Sequence, residues 1–246
     1  MSDTFNNYVQ WAWKRKSELT KIIFERTQGE VIQGPFKGMK ILPKWAWGDG
    51  DTAGKLLGLY ECELFEHVKD AVSKSPDVVI NVGCAEGFYG IGLGKITDSQ
   101  VVLVDVSQDL INIARENAKV NGVNKIQFTI DSSIETLNRY LDKYKNPFIF
   151  MDCEGFEEEL LVPEFMPGLA KTSLIVETHD CFRPNITARI VERFLATHNV
   201  IYIQQGAKNP YIDIIADLSD YDKVLLCCEG RPQTSSWVYM VPKNAV

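Results

Sequence analysis

The chain has 246 residues, a formal net charge of -7, and apolar and charged fractions of 45% and 24%. These values are typical of a globular α/β protein, and the negative charge disfavours general nucleic-acid binding, which needs a basic surface. No apolar run is long enough to span a membrane, and the first residues lack the basic and apolar segments of a secretory signal. We therefore expect a cytoplasmic protein without a membrane or nucleic-acid partner.

Residues 1–75 differ in pattern from the rest of the chain. Apolar residues recur at helical spacing from residue 5 to residue 23 and again from residue 57 to residue 72. The segment between them, residues 31–43, is short, apolar and interrupted by glycine, which is typical of a small hairpin. The sequence predicts an N-terminal helical and hairpin cap over residues 1–75, followed by one domain over residues 76–246.

From residue 77 onward, strand patterns alternate with helix patterns. Continuous Val and Ile runs without polar alternation indicate strands that are covered on both faces, and strand–helix repetition predicts a doubly wound, mostly parallel sheet of seven strands. The closing segments have no long helical pattern between them, so we expect an antiparallel hairpin at the C-terminal edge. The predicted strands are residues 78–82, 101–105, 126–130, 148–152, 173–178, 200–204 and 223–228, with a last segment at 237–241.

A cluster of small residues follows the first predicted strand, in the stretch NVGCAEGFYG. In doubly wound sheets, ligands bind beyond the carboxyl ends of the strands, where small residues let the backbone approach them. Asp105 ends the second predicted strand, about 20 residues after Gly83, where an acid can accept bonds from ribose hydroxyls. The dinucleotide fingerprint G-x-G-x-x-G fits poorly, because Ala85 stands where its second glycine belongs.

Three blocks carry a resemblance to a known family: NVGCAEGFYGIGLG, MDCEGFEEELL at 151–161 and GLYECEL at 58–64. Together they resemble class I S-adenosylmethionine (SAM)-dependent methyltransferases with a Rossmann-like fold, and more narrowly the FkbM-like family. The family pattern has an acid before the first glycine, whereas this chain has Asn81. The resemblance implies SAM as the cofactor and methyl transfer as the reaction.

The resemblance also assigns the cofactor-binding residues. The loop would run beside the methionine part of SAM, Asp105 would hold the ribose, and the end of the third strand would face the adenine. Asp152, at the end of the fourth strand, would border the sulfonium and the acceptor. The cofactor-binding set is Asn81, Gly83, Cys84, Ala85, Gly87, Asp105, Asp131 and Ser132. For Asp131 and Ser132, helix capping is an equally good explanation.

Acidic residues and a histidine follow the fourth and fifth predicted strands. A hydroxyl acceptor must lose its proton, either to a general base or with the help of a metal that lowers its pKa. His179 is one candidate base, because its ordinary pKa is near neutral, and a divalent metal held by Asp152, Glu177 and His179 is another possibility. The run 157–159 is typical of a solvated first helical turn. The catalytic candidates are Asp152, Glu154, Glu177 and His179.

Aromatic and polar residues near the predicted cap are candidates for contact with the acceptor. Tyr60 and Glu61 belong to the GLYECEL block, Trp47 lies in a Gly-rich loop that could act as a lid, and Asp180 follows His179. We expect the acceptor to be a hydroxyl of a small molecule, such as a sugar or a biosynthetic intermediate. The oligomeric state stays open, a homodimer included. Two other functions also stay open: an NAD(P)-dependent oxidoreductase, and a SAM-binding module without catalysis.

Overall fold

The computed structural model describes residues 3–44, 51–231 and 233–244, which divide into two compact units. Unit 1 comprises Met1–Cys62 with Gly206–Arg231, and unit 2 comprises Glu63–Gln205 with Pro232–Val246. The division differs from the predicted boundary at residues 75 and 76. Residues 206–231 join unit 1 because a helix within them packs on the N-terminal helix.

Helices and strands alternate along most of unit 2. Over the described residues, the helices are α1 (Asp3–Thr27), α2 (Thr52–Leu57), α3 (Phe65–Ser73), α4 (Phe88–Ile96), α5 (Gln108–Val120), α6 (Ile134–Lys143), α7 (Glu157–Leu160), α8 (Ile186–Phe194) and α9 (Asp220–Cys227). The strands are β1 (Val78–Val82), β2 (Gln100–Val104), β3 (Ile126–Thr129), β4 (Pro147–Met151), β5 (Ser173–Thr178), β6 (His198–Gln204) and β7 (Ser236–Pro242).

The strands form one seven-stranded sheet in the order β3-β2-β1-β4-β5-β7-β6. Neighbours from β3 to β5 are parallel, whereas β7 is antiparallel to both β5 and β6. The predicted mostly parallel sheet with an antiparallel C-terminal pair is therefore confirmed. The two strands of that pair are not joined by a tight turn, because the chain between them contains α9.

The predicted strand at 223–228 is wrong, because most of this segment lies in α9. Ser219 caps the helix by accepting a hydrogen bond from the Asp222 amide at 3.1 Å. Along the helix, Leu226 is buried and Val224 is exposed, so the apolar residues follow a helical face rather than a two-faced strand. The predicted hairpin at 31–43 is reduced to turns and one isolated antiparallel bridge, between Glu30 and Lys40.

The core of unit 2 lies on the inner strands of the sheet. Every residue of β1, β4 and β5 is buried, as expected for strands that are covered on both faces. Because β1, β2, β4 and β5 run in the same direction, their carboxyl ends meet at one edge, where the candidate site lies. Within the described residues, no helix is both long and apolar enough to cross a membrane.

Candidate active site

The loop after β1 is shaped by a close approach between two strand ends. Gly83 has φ +70°, and a Cβ at this position would lie 1.6 Å from the carbonyl oxygen of Asp152 after β4. Only glycine fits such a contact, since the neighbouring atom belongs to the backbone. The amides of Gly83 and Cys84 both donate to the Val104 carbonyl, at 2.9 and 3.0 Å. The first glycine is thus required by the protein's own backbone, whatever ligand the loop contacts.

Asp105, directly after β2, connects this loop to the start of α5. Its Oδ2 accepts a hydrogen bond from the Ala85 amide and its Oδ1 accepts one from the Ser107 amide, each at 2.9 Å. The residue is buried, and each carboxylate oxygen has two lone pairs, so both oxygens can accept a further bond. A carboxylate fixed in this way can receive the two hydroxyls of a ribose.

Asn81, which stands where related loops carry an acid, bridges three elements. Its Oδ1 accepts a bond from the Gly90 amide of α4 at 3.0 Å, and its Nδ2 donates to the Phe150 carbonyl of β4 at 3.3 Å. The side chain is buried. A carboxylate could make the first bond but not the second, because it has no donor when ionised. The amide therefore suits this position for structural reasons.

The residues predicted to face the adenine lie beyond β3, and Asp131 also has a local role there. It accepts bonds from Thr136 Oγ1 and the Ser133 amide, and these bonds lower its pKa to about 2. Ser133, rather than Ser132, is the N-cap of α6.

The sequence analysis missed two exposed apolar side chains that follow β2 and β3, Val106 and Ile130. The sequence does contain one signal for Val106. It is a single apolar residue between an acid at the end of a strand and the residue that caps the next helix.

His179 follows β5 and lies at the centre of a group of carboxylates. Its Nδ1 is 2.8 Å from Glu157 Oε1. Its Nε2 is 3.5 Å from Asp152 Oδ1, 3.5 Å from Glu154 Oε2 and 3.9 Å from Glu177 Oε1. The structure thus brings together all four predicted catalytic residues, and it adds Glu157.

The carboxylates determine the charge of His179. Burial lowers the pKa of the imidazole, but the hydrogen bond to Glu157 and the charges of Asp152, Glu157 and Glu177 outweigh it and raise this pKa to about 9. Burial raises the pKa of Glu157. The hydrogen bond to His179, the charge of His179 and the hydrogen bond from the Gly155 amide together outweigh burial, so the pKa of Glu157 is lowered. His179 is therefore an imidazolium at neutral pH.

Glu157 is a functional candidate that the sequence analysis set aside. The run 157–159 was expected to be a solvated helical turn, but Glu157 is fully buried, and its Oε1 also accepts bonds from the Cys153 and Gly155 amides. Glu158 forms a two-bond ion pair with Arg189. Nothing in three consecutive glutamates indicates which of them faces inward, because this depends on how α7 packs.

The donor atoms of this cluster are close enough together to hold a metal ion. Asp152, Glu157 and His179 each offer one ligand atom, and these atoms lie within 4.8 Å of one another. This set differs from the predicted one, in which Glu177 took the place of Glu157. Carboxylates with one imidazole are ligands that suit a divalent ion.

The residues predicted to contact the acceptor are in different places. Asp180 lies in the turn before α8, and its Oδ2 accepts a bond from Thr187 Oγ1. Trp47 lies outside the described residues. Tyr60 and Glu61 belong to unit 1, where the Glu61 carboxylate pairs with Arg231.

This strand order, with a glycine loop after β1 and a carboxylate after β2, defines a class I methyltransferase fold. A family model described as "Methyltransferase domain" matches residues 73–243, which is more than half of the chain. The chain therefore belongs to the methyltransferase domain family.

Known proteins are similar to a part of the chain or to its fold. Ribosomal protein L11 methyltransferase of Thermotoga petrophila is 40% identical over 50 residues, which is 20% of this chain and 19% of that protein. The chain thus matches under a fifth of this curated relative's length. A SAM-dependent methyltransferase structure from Agrobacterium tumefaciens has a TM-score of 0.51 at 14% identity, covering 73% of this chain and 62% of that one. An rRNA methylase structure from Streptococcus thermophilus has a TM-score of 0.50 at 10% identity, covering 74% and 96%.

Proposed function

We propose that this chain is a SAM-dependent O-methyltransferase of the FkbM-like type that acts on a hydroxyl of a small molecule. The observation that carries the proposal is the carboxylate cluster around His179, which begins directly after the strands β4 and β5. A cluster of this kind can accept the proton that a hydroxyl loses when it is methylated. The net charge of -7 supports a small-molecule acceptor over a nucleic acid. We also propose a cytoplasmic location. The oligomeric state, a homodimer included, stays open.

The residues near the end of β2 fit the adenosine part of SAM. Asp105 is held by two amides and can still accept from both ribose hydroxyls. Val106 and Ile130 expose apolar surface that the flat face of an adenine can cover. The loop at 83–87 has positive φ at Gly83, Ala85 and Gly87, which keeps it tight beside the strand ends. The chemistry that SAM supplies when bound is a methyl group on a positively charged sulfur.

The proton of the acceptor passes to a carboxylate in this mechanism. His179 cannot accept it at neutral pH, since the raised pKa of about 9 keeps the imidazole protonated. Asp152 is our candidate for the base, because its Oδ1 lies 3.5 Å from His179 Nε2 and its residue directly follows β4. His179 then orients the carboxylates, and Glu157 holds the imidazole ring. The main task of the chain is alignment of the acceptor oxygen with the methyl group.

The experiment that tests this function separates binding from turnover. Calorimetry with S-adenosylhomocysteine (SAH) and NAD measures which nucleotide binds, and SAH release from SAM with a panel of hydroxyl compounds measures turnover. We expect SAH to bind and NAD not to bind. Asp152→Asn should keep SAH affinity and lose turnover. Binding of NAD instead would identify an oxidoreductase, and SAH binding without turnover on any acceptor would favour a non-catalytic module.

A metal-dependent version of the same reaction is the second candidate. It is favoured by the spacing of Asp152, Glu157 and His179, whose ligand atoms lie within 4.8 Å of one another. A divalent ion there would lower the pKa of the acceptor hydroxyl. It would also displace the proton of His179, because a metal ligand must be unprotonated. Calorimetry with Mn²⁺ in two buffers of different ionisation enthalpy measures that proton release, and His179→Gln should abolish it.

A further inference from the structure

The strand β6 forms one edge of the sheet, since β7 is its only neighbour among the described strands. Two bonds fix the direction of its backbone groups. Just before β6, the Thr197 carbonyl accepts from the Lys243 amide at 2.9 Å. Just after it, the Gln205 amide donates to the Ser235 carbonyl at 3.0 Å. Because residues of an antiparallel pair alternate in direction, the odd-numbered residues of β6 bond to β7. The even-numbered residues direct their N–H and C=O groups outward: His198, Val200, Tyr202 and Gln204.

The outer side of β6 is open. None of the described residues forms a backbone hydrogen bond with the four outward-facing residues on that side. Ile201 is 45% exposed and Tyr202 is 56% exposed, and they lie on opposite faces of the strand. The seven residues of β6 include no Asp, Glu, Lys, Arg or Pro. Edge strands usually avoid pairing by being short or by carrying charges or proline, and β6 has none of these protections.

The strand at the opposite edge, β3, has the protection that β6 lacks. It has four residues, and Lys125 directly precedes it. Arg115 of α5 lies over it, with the guanidinium 4.4 Å from the centre of the Phe128 ring. The contrast between the two edges points to another strand as the partner of β6, because a strand pairs with a whole row of N–H and C=O groups.

A second copy of β6 fits this edge in one register. In an antiparallel pair of identical strands centred on Ile201, Val200 lies opposite Tyr202 of the second copy. His198 then lies opposite Gln204 of the second copy. Each of these pairs exchanges two hydrogen bonds, because all four residues point outward. A register centred on Val200 or Tyr202 would instead leave an outward-facing residue opposite the chain outside the strand.

The side chains also match in this register. Ile201 faces its own copy where the Cα atoms of the two strands are only about 4.5 Å apart, so the exposed apolar side chains cover each other. Val200 and Tyr202 form a pair of a β-branched and an aromatic residue, which stabilises neighbouring strands. No charged side chain of β6 opposes another, although the chain as a whole has a net charge of -7. The strand is therefore complementary to itself.

We propose that two copies of this chain form a twofold-symmetric dimer, in which β6 pairs with β6 around Ile201 and the two seven-stranded sheets become one. The pair uses the β6 edge of both copies, so the assembly closes at two copies. One strand pair is a small interface, and we expect a dissociation constant on the order of 10 µM. The dimer does not depend on the proposed methyltransferase function.

Sedimentation velocity of the full chain between about 1 and 200 µM tests the dimer. We expect wild type to convert from monomer to dimer over this range. Ile201→Lys places two ammonium groups against each other at the centre of the pair and should weaken dimerisation at least about tenfold. Val120→Lys is the matched control, because Val120 is 44% exposed on α5, which packs against β3 at the other edge. It should dimerise like wild type.

A proline distinguishes backbone pairing from a contact between side chains. Tyr202→Pro removes an outward N–H but no bond to β7, whereas Tyr202→Ala removes the same ring and keeps the N–H. The proline variant should dimerise at least about fivefold more weakly than the alanine variant, because the dimer loses two symmetry-related bonds. Thermal unfolding of each variant at low concentration shows whether the monomer is folded.

Disulfide trapping tests the register. In Ile201→Cys, the two Cα atoms lie at a distance that a disulfide can span, so copper phenanthroline should convert this variant to a covalent dimer. In Asn199→Cys, the two cysteines are four residues out of register, about 13 Å apart, and should not form one. Wild type, with its own six cysteines, gives the background level.

The dimer is wrong if wild type stays a monomer at every concentration, if Ile201→Lys dimerises like wild type, or if species larger than a dimer accumulate. Equal dimerisation of folded Tyr202→Pro and Tyr202→Ala would contradict backbone pairing. Trapping of Asn199→Cys as efficient as that of Ile201→Cys would contradict the register centred on Ile201. These failures leave the methyltransferase proposal standing, since SAH binding and turnover are measured separately.

Discussion

Glu157 Oε1 lies 2.8 Å from His179 Nδ1, and both residues are buried at the carboxyl end of the sheet. The pair fixes the ring, so that the opposite nitrogen faces Asp152, Glu154 and Glu177. A carboxylate on one ring nitrogen fixes the orientation of the ring, and so determines which nitrogen faces the other groups of the site. A change to this pair should therefore affect both the free energy of unfolding and the orientation of the groups in the site.

The first prediction concerns the loss of stability at alkaline pH. The pKa of His179 is about 9 in the fold, against 6.5 in the unfolded chain. Its contribution to the free energy of unfolding is therefore complete below pH 6.5 and is lost as the pH rises through 9. Between pH 6.5 and pH 9, the free energy of unfolding should fall by on the order of 2–3 kcal/mol more in wild type than in His179→Gln. Urea unfolding at each pH measures this difference.

Two controls isolate the effect of His179. Burial raises the pKa of Cys84 and Cys153, so these thiols also reduce stability at high pH, but they do so equally in wild type and variant. His67→Gln should leave the pH dependence of the free energy of unfolding unchanged above pH 7, because burial lowers the pKa of His67. Identical slopes for wild type and His179→Gln would contradict the charge that we assign to His179.

The second prediction concerns Asn81. Replacing it with Asp keeps the acceptor for the Gly90 amide but sets a buried carboxylate against the Phe150 carbonyl oxygen, in place of the Nδ2 donor. Asn81→Asp should reduce the free energy of unfolding at pH 7 by about 1–3 kcal/mol. The loss should shrink toward pH 4, where the new acid becomes protonated and can donate. Asn124→Asp, at an exposed position, is the control and should be neutral.

The sheet was predictable from the sequence, because buried parallel strands appear as uninterrupted Val and Ile runs between helical patterns. The same rule failed at 223–228, where Ser219 and the acids of the first turn favour a helix that the apolar run conceals. Local patterns also assigned residues 206–231 to the second domain, although α9 packs on α1. Which distant helix a segment packs against is a tertiary property that spacing does not reveal.

The candidate site was predictable where a residue occupies a strand end. Asp105, Asp152 and Glu177 all follow from the direction of the strands, since parallel strands end at one edge. Glu157 was not predictable, because its burial depends on how α7 packs in the folded chain. The bond that Asn81 makes to Phe150 was also hidden, since it joins strands that are distant in sequence.

The third prediction concerns Asp105 and tests the cofactor site. Asp105→Ala removes the acceptor for two amides and for the proposed ribose hydroxyls. We expect SAH to bind roughly tenfold to a hundredfold more weakly, as the loss of a charged hydrogen-bond acceptor implies. Asp109→Ala controls for the loss of a negative charge nearby, because Asp109 is an exposed acid in the first turn of α5. Unchanged SAH affinity in Asp105→Ala would remove the ribose assignment.

The fourth prediction concerns a buried group of charges within unit 1. Glu229 accepts bonds from the Glu61 amide at 3.0 Å and from Arg231 Nε at 2.9 Å, and it pairs with Lys208 at 2.6 Å. Burial raises the pKa of Glu229, but these partners outweigh it and lower the pKa below its usual value. Its stabilising effect is therefore present above pH 4.5 and is lost as the pH falls through the lowered pKa.

Replacing Glu229 with Gln takes the carboxylate away from the buried Lys208 side chain, whereas Arg231 keeps its ion pair with Glu61. We expect Glu229→Gln to reduce the free energy of unfolding at pH 7 by about 3–5 kcal/mol. The variant should also lose less additional stability than wild type on acidification below pH 4.5, since the group that titrates is gone. Glu25→Gln, at an exposed position on α1, is the matched control and should change neither quantity. A Glu229→Gln protein as stable as wild type would mean that the cations find other partners, and that the carboxylate does not hold unit 1 together.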